Sequence, residues 1–186
     1  MRAQSSDSGT VVPSCTQIGA GVKTGSVYRI MEQGSATLTG NDYDVAIQGK
    51  GYFQILLPSG ETAYTRAGNF STDDPGRLVT QDGYLVQPNI TIPQGTTSVT
   101  ISKDGQVQVT TSGNTQTQTL GQLEIATFPN EAGLDAQGDN LFMESAASGA
   151  PNVSTPGDTG FGTLLQHYTE SSNVDAVSEI TALIVA

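Results

Sequence analysis

The sequence predicts a mainly β fold of antiparallel strands, with one short helix at the C-terminal end. Glycine is frequent, with 22 residues among 186, whereas charged residues make up only 13% of the chain. A helical bundle would carry more Glu, Lys, Ala and Leu, so this composition favours a turn-rich β protein. Turn signals also recur about every ten residues between short apolar runs, which is typical of an antiparallel β fold.

The antiparallel core is predicted to run from about Val45 to Phe128. Apolar runs on both sides of Gly49–Gly51 indicate two strands, and the two glycines favour a tight hairpin with positive φ between them. Leu120–Phe128 is the longest strand candidate, because Leu123, Ile125 and Thr127 alternate along it on one face.

Two Asp-Gly dipeptides give the clearest turn signals in this core. Asp82-Gly83 separates the apolar runs Leu78-Val79 and Tyr84–Val86, and Asp104-Gly105 separates two alternating runs further along the chain. Asp-Gly between such runs is a strong hairpin signal, because glycine adopts positive φ without a steric penalty. We therefore expect both dipeptides to lie in hairpin turns with glycine at positive φ.

The chain is predicted to have three parts. Residues 1–21 are polar and too poor in apolar side chains to fold alone, so we expect an extended arm. Residues 22–172 form the β-rich core domain, in which Gly138–Gly162, rich in small residues, is expected to be a long ordered loop around the core. Residues 173–186 are expected to begin a C-terminal helix.

The evidence for this helix is a change of period near the C-terminal end. Ser172 and Asp175 resemble a capping box, and the apolar residues that follow fall on one broad helical face: Val174, Val177, Ile180, Leu183 and Ile184. So short an isolated helix is marginal in water, so this face needs a partner. The pattern reaches Ala186 without a stop signal, and we expect that the natural helix continues.

Charge and composition exclude several classes of partner. The net charge is −11 and the basic residues are scattered, so neither nucleic acid nor an anionic membrane surface is an expected partner. No apolar run approaches the roughly 20 residues of a membrane helix, so membrane insertion is not expected. Cys15 is the single cysteine, which excludes an internal disulfide and a thiolate metal cluster.

No pattern in the sequence predicts catalysis or a bound cofactor. Asp73, Asp74 and Gly76 lack the alternating ligands and distal Glu of a calcium loop, and a plain turn explains them better. His167 is the single histidine, no G-x-S-x-G motif occurs, and Gly49–Gly51 lacks the hydroxyl residue of a phosphate loop. Asp and Glu are plentiful, but no pair is singled out for acid–base work. We predict no enzyme activity, cofactor or metal, and interpret His167 as a surface or half-buried packing residue.

Three blocks of sequence resemble the shared core of the flagellar rod and hook protein family, in order and in spacing. They are NDYDVAIQGKGYFQI (Asn41–Ile55), AYTRAGNF (Ala63–Phe70) and GRLVT (Gly76–Thr80). Later strings resemble the distal rod branch of that family, including ATFPN (Ala126–Asn130), NLF (Asn140–Phe142) and GFGTL (Gly160–Leu164). The resemblance covers nearly the whole chain except the family's N-terminal helical segment and the continuation of its C-terminal helix, so we expect a middle fragment that lacks both terminal helical segments.

The resemblance implies a structural subunit of the bacterial flagellum. It implies export by the flagellar type III route and helical self-assembly into the periplasm-spanning distal rod, the drive shaft that transmits torque from motor to hook. The implied partners are copies of the chain itself, the proximal rod and hook proteins, and the peptidoglycan and outer-membrane ring proteins. Residues 1–21 would include a rod-specific stretch between subunits. The apolar face listed above would be an assembly interface.

A second hypothesis is a secreted β-rich binding module, such as an adhesin or a glycan-binding domain. Tyr64, Tyr84 and Tyr168, if exposed, could serve as stacking platforms for a ligand. A concave groove lined by these aromatic side chains would favour a binding module, whereas terminal helices with apolar faces would favour a subunit of an assembly.

Overall fold

The computed structural model describes residues 33–113 and 116–171 of the chain, and these residues confirm the mainly β, antiparallel fold. The sixteen strands of this part are β1 (Ala36–Leu38), β2 (Val45–Gln48), β3 (Tyr52–Leu56), β4 (Thr62–Thr65), β5 (Phe70–Thr72), β6 (Leu78–Thr80), β7 (Leu85–Gln87), β8 (Thr96–Ile101), β9 (Gln106–Thr111), β10 (Gln118–Gln122), β11 (Ile125–Thr127), β12 (Asp135–Gly138), β13 (Leu141–Met143), β14 (Asn152–Ser154), β15 (Thr163–Gln166) and β16 (Tyr168–Glu170). One 3₁₀ turn, Glu131–Gly133, precedes β12.

Two of the three predicted parts lie outside the residues that the structure describes. The arm over residues 1–21 lies outside the described residues, as does the C-terminal helix over 173–186 with its apolar face. The predicted boundaries at residues 21 and 172 therefore stay predictions. Only the β-rich core domain, from residue 33 to residue 171 with a gap at 114–115, is described.

A nine-stranded antiparallel sheet forms the centre of the domain. Its main path runs β12-β13-β4-β3-β7-β6-β5, and β11 joins β3 while also pairing with β14. The central strand β3 is the most deeply placed, with Phe53 and Ile55 fully buried and Tyr52 nearly so. This strand has the mixed apolar pattern expected for burial on both faces, because the sheet separates two clusters of apolar side chains.

Both Asp-Gly turns are hairpins, and both glycines have positive φ as predicted. Gly83 has φ +85° and donates its N–H to Thr80 O at 3.0 Å, while Thr80 donates to Tyr84 O at 2.8 Å. Gly105 also has φ +85°, and the same two bonds recur between Ser102 and Gln106. Each loop therefore has three residues with glycine last, the arrangement of a type I turn followed by a left-handed residue.

A three-stranded sheet, β10-β9-β8, packs its apolar side chains into the larger cluster. Val99, Ile101, Val107 and Val109 are buried on that side. The predicted single strand over Leu120–Phe128 is wrong, because this run is divided between two sheets. The chain leaves β10 at Leu123, whose N–H bonds to Gly105 O at 2.7 Å, and enters the nine-stranded sheet as β11.

The predicted hairpin at Gly49–Gly51 is also wrong, although both glycines do have positive φ. Strand β2 pairs with β15, whereas β3 pairs with β4, β7 and β11, so the two strands flanking these glycines are not partners. The segment transfers the chain from one sheet to another. Lys50 O accepts the N–H of Gly162 at 2.7 Å, which anchors the transfer against the segment before β15.

The stretch Gly138–Gly162 is ordered, as expected, but it is not simply a loop. It contributes β13 and β14 to the nine-stranded sheet. Phe142 on β13 packs against a small aromatic cluster on the face opposite the larger core. In this cluster Tyr64 and Phe128 meet edge to face with ring centroids 4.8 Å apart, and Tyr52 contacts both Phe128 and Phe142 in the same way.

Candidate assembly site

The chain enters and leaves the described domain at one place, through a two-stranded ribbon formed by β1 and β16. The register pairs Ala36 with Glu170 and Leu38 with Tyr168. Beyond the last pair, Ser171 donates its N–H to Ser35 O at 2.8 Å. The first and last stretches of the described chain therefore lie side by side, although they are far apart in sequence.

Arg66 fastens this ribbon to the core. Its Nε donates to Glu170 Oε2 on β16 at 2.8 Å, and its terminal nitrogens donate to the carbonyl oxygens of Ile47, Gly49 and Gly51 at 3.0 to 3.3 Å. The other oxygen of Glu170 accepts the N–H of Gly34 at 2.9 Å. The two charged side chains are only 22% and 13% exposed. We call these two residues the ribbon clamp.

The contacts of Arg66 in the ribbon clamp suit a guanidinium group. A planar guanidinium can donate to a carboxylate and to several carbonyl oxygens at once, whereas an ammonium group cannot do so with the same geometry. The guanidinium carbon also lies 5.9 Å from the centroid of the Tyr52 ring. Burial raises the pKa of Tyr52 to about 12, and the nearby Glu131 carboxylate acts in the same direction. The Tyr52 ring beside the clamp is therefore neutral at ordinary pH.

Gln33 adds a second fastening on the N-terminal side of the ribbon. Its Nε2 donates to Ile47 O at 2.8 Å, and its Oε1 accepts the N–H of Gly49 at 2.9 Å. Ile47 O therefore accepts from both Gln33 and Arg66. Gln33 and Arg66 thus both hold the short segment from Ile47 at the end of β2 to the glycines that follow it.

At the other end of the ribbon, His167 turns the chain from β15 into β16. Its φ of +69° is left-handed, a conformation in which histidine is enriched relative to most other residues. The N–H of His167 bonds to Asp44 O at 2.7 Å, and the buried Asp44 carboxylate accepts from Thr39 and Asn41. The side chain of His167 is 41% exposed, which fits the interpretation as a half-buried residue.

The described residues do not support an aromatic binding platform. Tyr64 is 4% exposed and belongs to the aromatic cluster, while Tyr84, just before β7, and Tyr168, on β16, are each half-buried. Asp73 bonds with Arg77 within its own turn, and the Arg77 guanidinium helps to hold the pKa of Asp73 below its usual value, against a raising effect of desolvation.

Across the two described ranges no cluster of three or more potential metal ligands occurs. In the described part of the chain, no helix is long and apolar enough to cross a membrane.

Comparison with known proteins assigns the chain to a family. The family model described as the flagellar hook protein FlgE/F/G D1 domain matches residues 46–109, which run from β2 into β9. The flagellar basal-body rod protein FlgG of Caulobacter vibrioides is 67% identical over 184 residues, covering 99% of this chain and 70% of that protein. The chain belongs to the FlgG family of flagellar basal-body rod proteins.

Other FlgG proteins agree with this assignment. The relative from Agrobacterium fabrum is 51% identical, with 95% of this chain and 67% of that protein covered. The relative from Bacillus subtilis is 44% identical, with 91% and 66% covered. As a member of the FlgG family the chain is a structural rod protein of the flagellar basal body.

The ribbon clamp was missed at the sequence level, although Arg66 lies within the AYTRAGNF block. A single arginine in a polar stretch gives no sign that its partners lie at residues 47–51 and 170. The predicted assembly residues on the C-terminal apolar face lie outside the described residues. What the structure adds is the place from which that segment leaves the domain.

Proposed function

We propose that this chain is a subunit of the distal rod that assembles helically with copies of itself into the shaft transmitting torque from motor to hook. In such an assembly one patch of each subunit meets a different patch on the next, so the array grows without closing. The chain acts by stacking and by carrying load, and it catalyses no reaction.

The observation that carries this proposal is the β1–β16 ribbon with its clamp. A subunit whose terminal segments pack together in the assembly needs both segments to leave the domain at one place and in a fixed orientation. Ser35 and Ser171 are bonded neighbours, and Arg66 joins the ribbon to the segment after β2.

We propose that the three parts of the chain have different roles in the rod. Residues 1–21 are the rod-specific arm that packs between neighbouring subunits, residues 22–172 are the β domain, and residues 173–186 begin the assembly helix. The face formed by Val174, Val177, Ile180, Leu183 and Ile184 packs against terminal segments of the same and neighbouring subunits. This apolar face is too broad for so short an isolated element to remain in water.

The proposed partners follow from the position of a distal rod. The subunit contacts its own copies, the proximal rod below, the hook above, and the ring proteins of the peptidoglycan and outer-membrane layers around it. It reaches this position through the flagellar type III export route.

The test is a pair of aspartates on the proposed helix face. Ile180→Asp with Ile184→Asp, made in the complete rod protein in a flagellated cell, removes rod assembly and motility while the β domain remains folded. Ser178→Asp with Ala182→Asp is the matched control, because these positions have the same spacing on the opposite face of the helix. Normal motility in the Ile180/Ile184 variant, with normal amounts of protein, would reject the assembly role of this face.

A further inference from the structure

The sheet β8-β9-β10 has an outer face without charge in a strongly acidic chain. Buried Val99, Val107 and Val109 alternate along β8 and β9 with Ser, Thr and Gln side chains on the outer face. The register places Thr100, Gln108 and Thr119 in one row across the three strands. No Asp, Glu, Lys or Arg occurs from Gly83 to Ser102 or from Gly105 to Leu123, so the nearest charges in sequence are Lys103, Asp104 and Glu124.

One edge of this sheet is also unpaired within the described residues. The outer edge of β8 is covered by Gln166, which donates to Val99 O and accepts from the N–H of Ile101, both at 2.9 Å. β10 pairs with β9 alone, and Gln118 and Thr119 on it are exposed. Unpaired strand edges join other strands readily, and proteins that avoid this place charges on them. β10 contains no such charge.

Other exposed edge strands have carboxylates on or beside them. β12 contains Asp135 and is followed by Asp139, and β5 runs directly into Asp73. At β14, the hydroxyl of Ser154 donates to the carboxylate of Asp158. The neutral β10 edge, continuous with a neutral three-stranded face, differs from these edges in having no carboxylate within its strand, directly after it or bonded to it.

Resting on the self-assembly proposed above, we infer that the β8-β9-β10 face and the β10 edge form the contact between the β domains of neighbouring copies. With 18 acidic and seven basic residues, two copies cannot pair all their acidic charges, and they repel one another wherever carboxylates meet. A contact between copies is least opposed where charge is absent. A basic partner, by contrast, would favour the acidic parts of the surface.

The size of this face fits a contact that is repeated in an array. Three strands of about six residues cover roughly 15 by 20 Å, well below the roughly 800 Å² that each partner contributes to a standard stable interface. One such contact is too weak to hold a dimer in solution. It becomes effective when several contacts per subunit act together in the rod.

The experiment adds two charges to β10 and, separately, to β12. Gln118→Glu with Thr119→Glu places them on the proposed contact, whereas Ala136→Glu with Gln137→Glu places them on another exposed edge strand. Each pair is made in the complete rod protein in a flagellated cell, and basal bodies with completed rods are counted. We expect at least about a tenfold loss for the β10 pair, since like charges brought together across an interface are strongly unfavourable, and near-normal numbers for the β12 pair.

A photocrosslinker identifies the molecule that contacts this edge. A benzophenone is attached to the cysteine introduced by Thr119→Cys, in a variant that also carries Cys15→Ser, and it is activated by light in purified basal bodies. An adduct with the mass of two rod chains supports the inference. An adduct with a different protein, or no adduct, overturns the inference. Normal numbers of completed rods for the β10 pair, or equal losses for the β10 and β12 pairs, overturn it as well. A strain that lacks the rod protein separates the two proposals: if that strain still builds complete rods, the proposed function itself has failed.

Discussion

Removing the charge of Arg66 tests whether the ribbon clamp holds the chain connections to the domain. Arg66→Gln loses the bond to Glu170 and the bonds to three carbonyl oxygens, and leaves the Glu170 carboxylate 13% exposed without its counter-ion. Exposed ion pairs contribute about 0–1 kcal/mol, whereas breaking a buried pair costs about 3–5 kcal/mol. Because this pair is partly exposed, we expect a loss of about 2 kcal/mol in the free energy of unfolding.

The assay is urea unfolding of the 186-residue chain, together with thermal unfolding. A loss of about 2 kcal/mol corresponds to a decrease of roughly 4–8 °C in Tm for a chain of this size. Glu170→Gln keeps one acceptor oxygen, which can serve either Arg66 or Gly34 in this arrangement but not both, so it is expected to cost less than Arg66→Gln, about 1 kcal/mol. The double variant gives the coupling energy between the two side chains, which we expect to be about 1 kcal/mol.

Arg77→Gln is the matched control for this prediction. The Arg77 side chain bonds to Asp73 at 2.7 Å within a single turn, the two side chains are 40% and 22% exposed, and within the described ranges its ion pair joins no second segment. Its removal is expected to cost no more than about 1 kcal/mol. Equal losses for Arg66→Gln and Arg77→Gln, or a loss below about 0.5 kcal/mol for Arg66→Gln, would refute the reasoning.

Two further predictions concern a turn and a buried ring. A Cβ at Gly105 would lie 2.6 Å from Leu123 O, whereas a Cβ at Gly83 meets nothing within 4 Å. Gly83→Ala should therefore cost about 1 kcal/mol from its positive φ alone, and Gly105→Ala about 2–4 kcal/mol; equal urea midpoints for the two would contradict this geometry. Because the pKa of Tyr52 is raised to about 12, its contribution to stability is present below pH 10 and is lost as the pH rises from 10 towards 12. Tyr52→Phe should flatten this part of the stability profile, measured as the urea midpoint at pH 9, 10.5 and 11.5, and an unchanged decrease would argue against Tyr52 as its source.

The sequence predicted those features that depend on a few neighbouring residues. Asp82-Gly83 and Asp104-Gly105 specify hairpins because a left-handed glycine closes each loop, and this requirement is local. Alternating valines likewise indicate which side of β9 is buried. The antiparallel fold class follows from the repetition of such local signals.

Features that depend on distant pairing were not predictable in this way. The Gly49–Gly51 segment looks like a hairpin because local sequence cannot show that β2 pairs with Thr163–Gln166. Leu120–Phe128 has the pattern of one strand, but the bond from Leu123 to Gly105 divides it between sheets. The clamp is the extreme case, since Arg66 and Glu170 meet across a separation of 104 residues.

The β1–β16 ribbon determines how the domain responds to mechanical force. Because the two outgoing segments leave from the same end of an antiparallel pair, pulling them apart opens the ribbon's hydrogen bonds one after another, starting at Ser35 and Ser171. Pulling both segments in the same direction does not separate the strands. That force passes into the core through two covalent connections, the Arg66–Glu170 pair and the bonds of Gln33 to Ile47 and Gly49 together. The domain is thus stiff when its two ends move as a unit and weak when they are splayed.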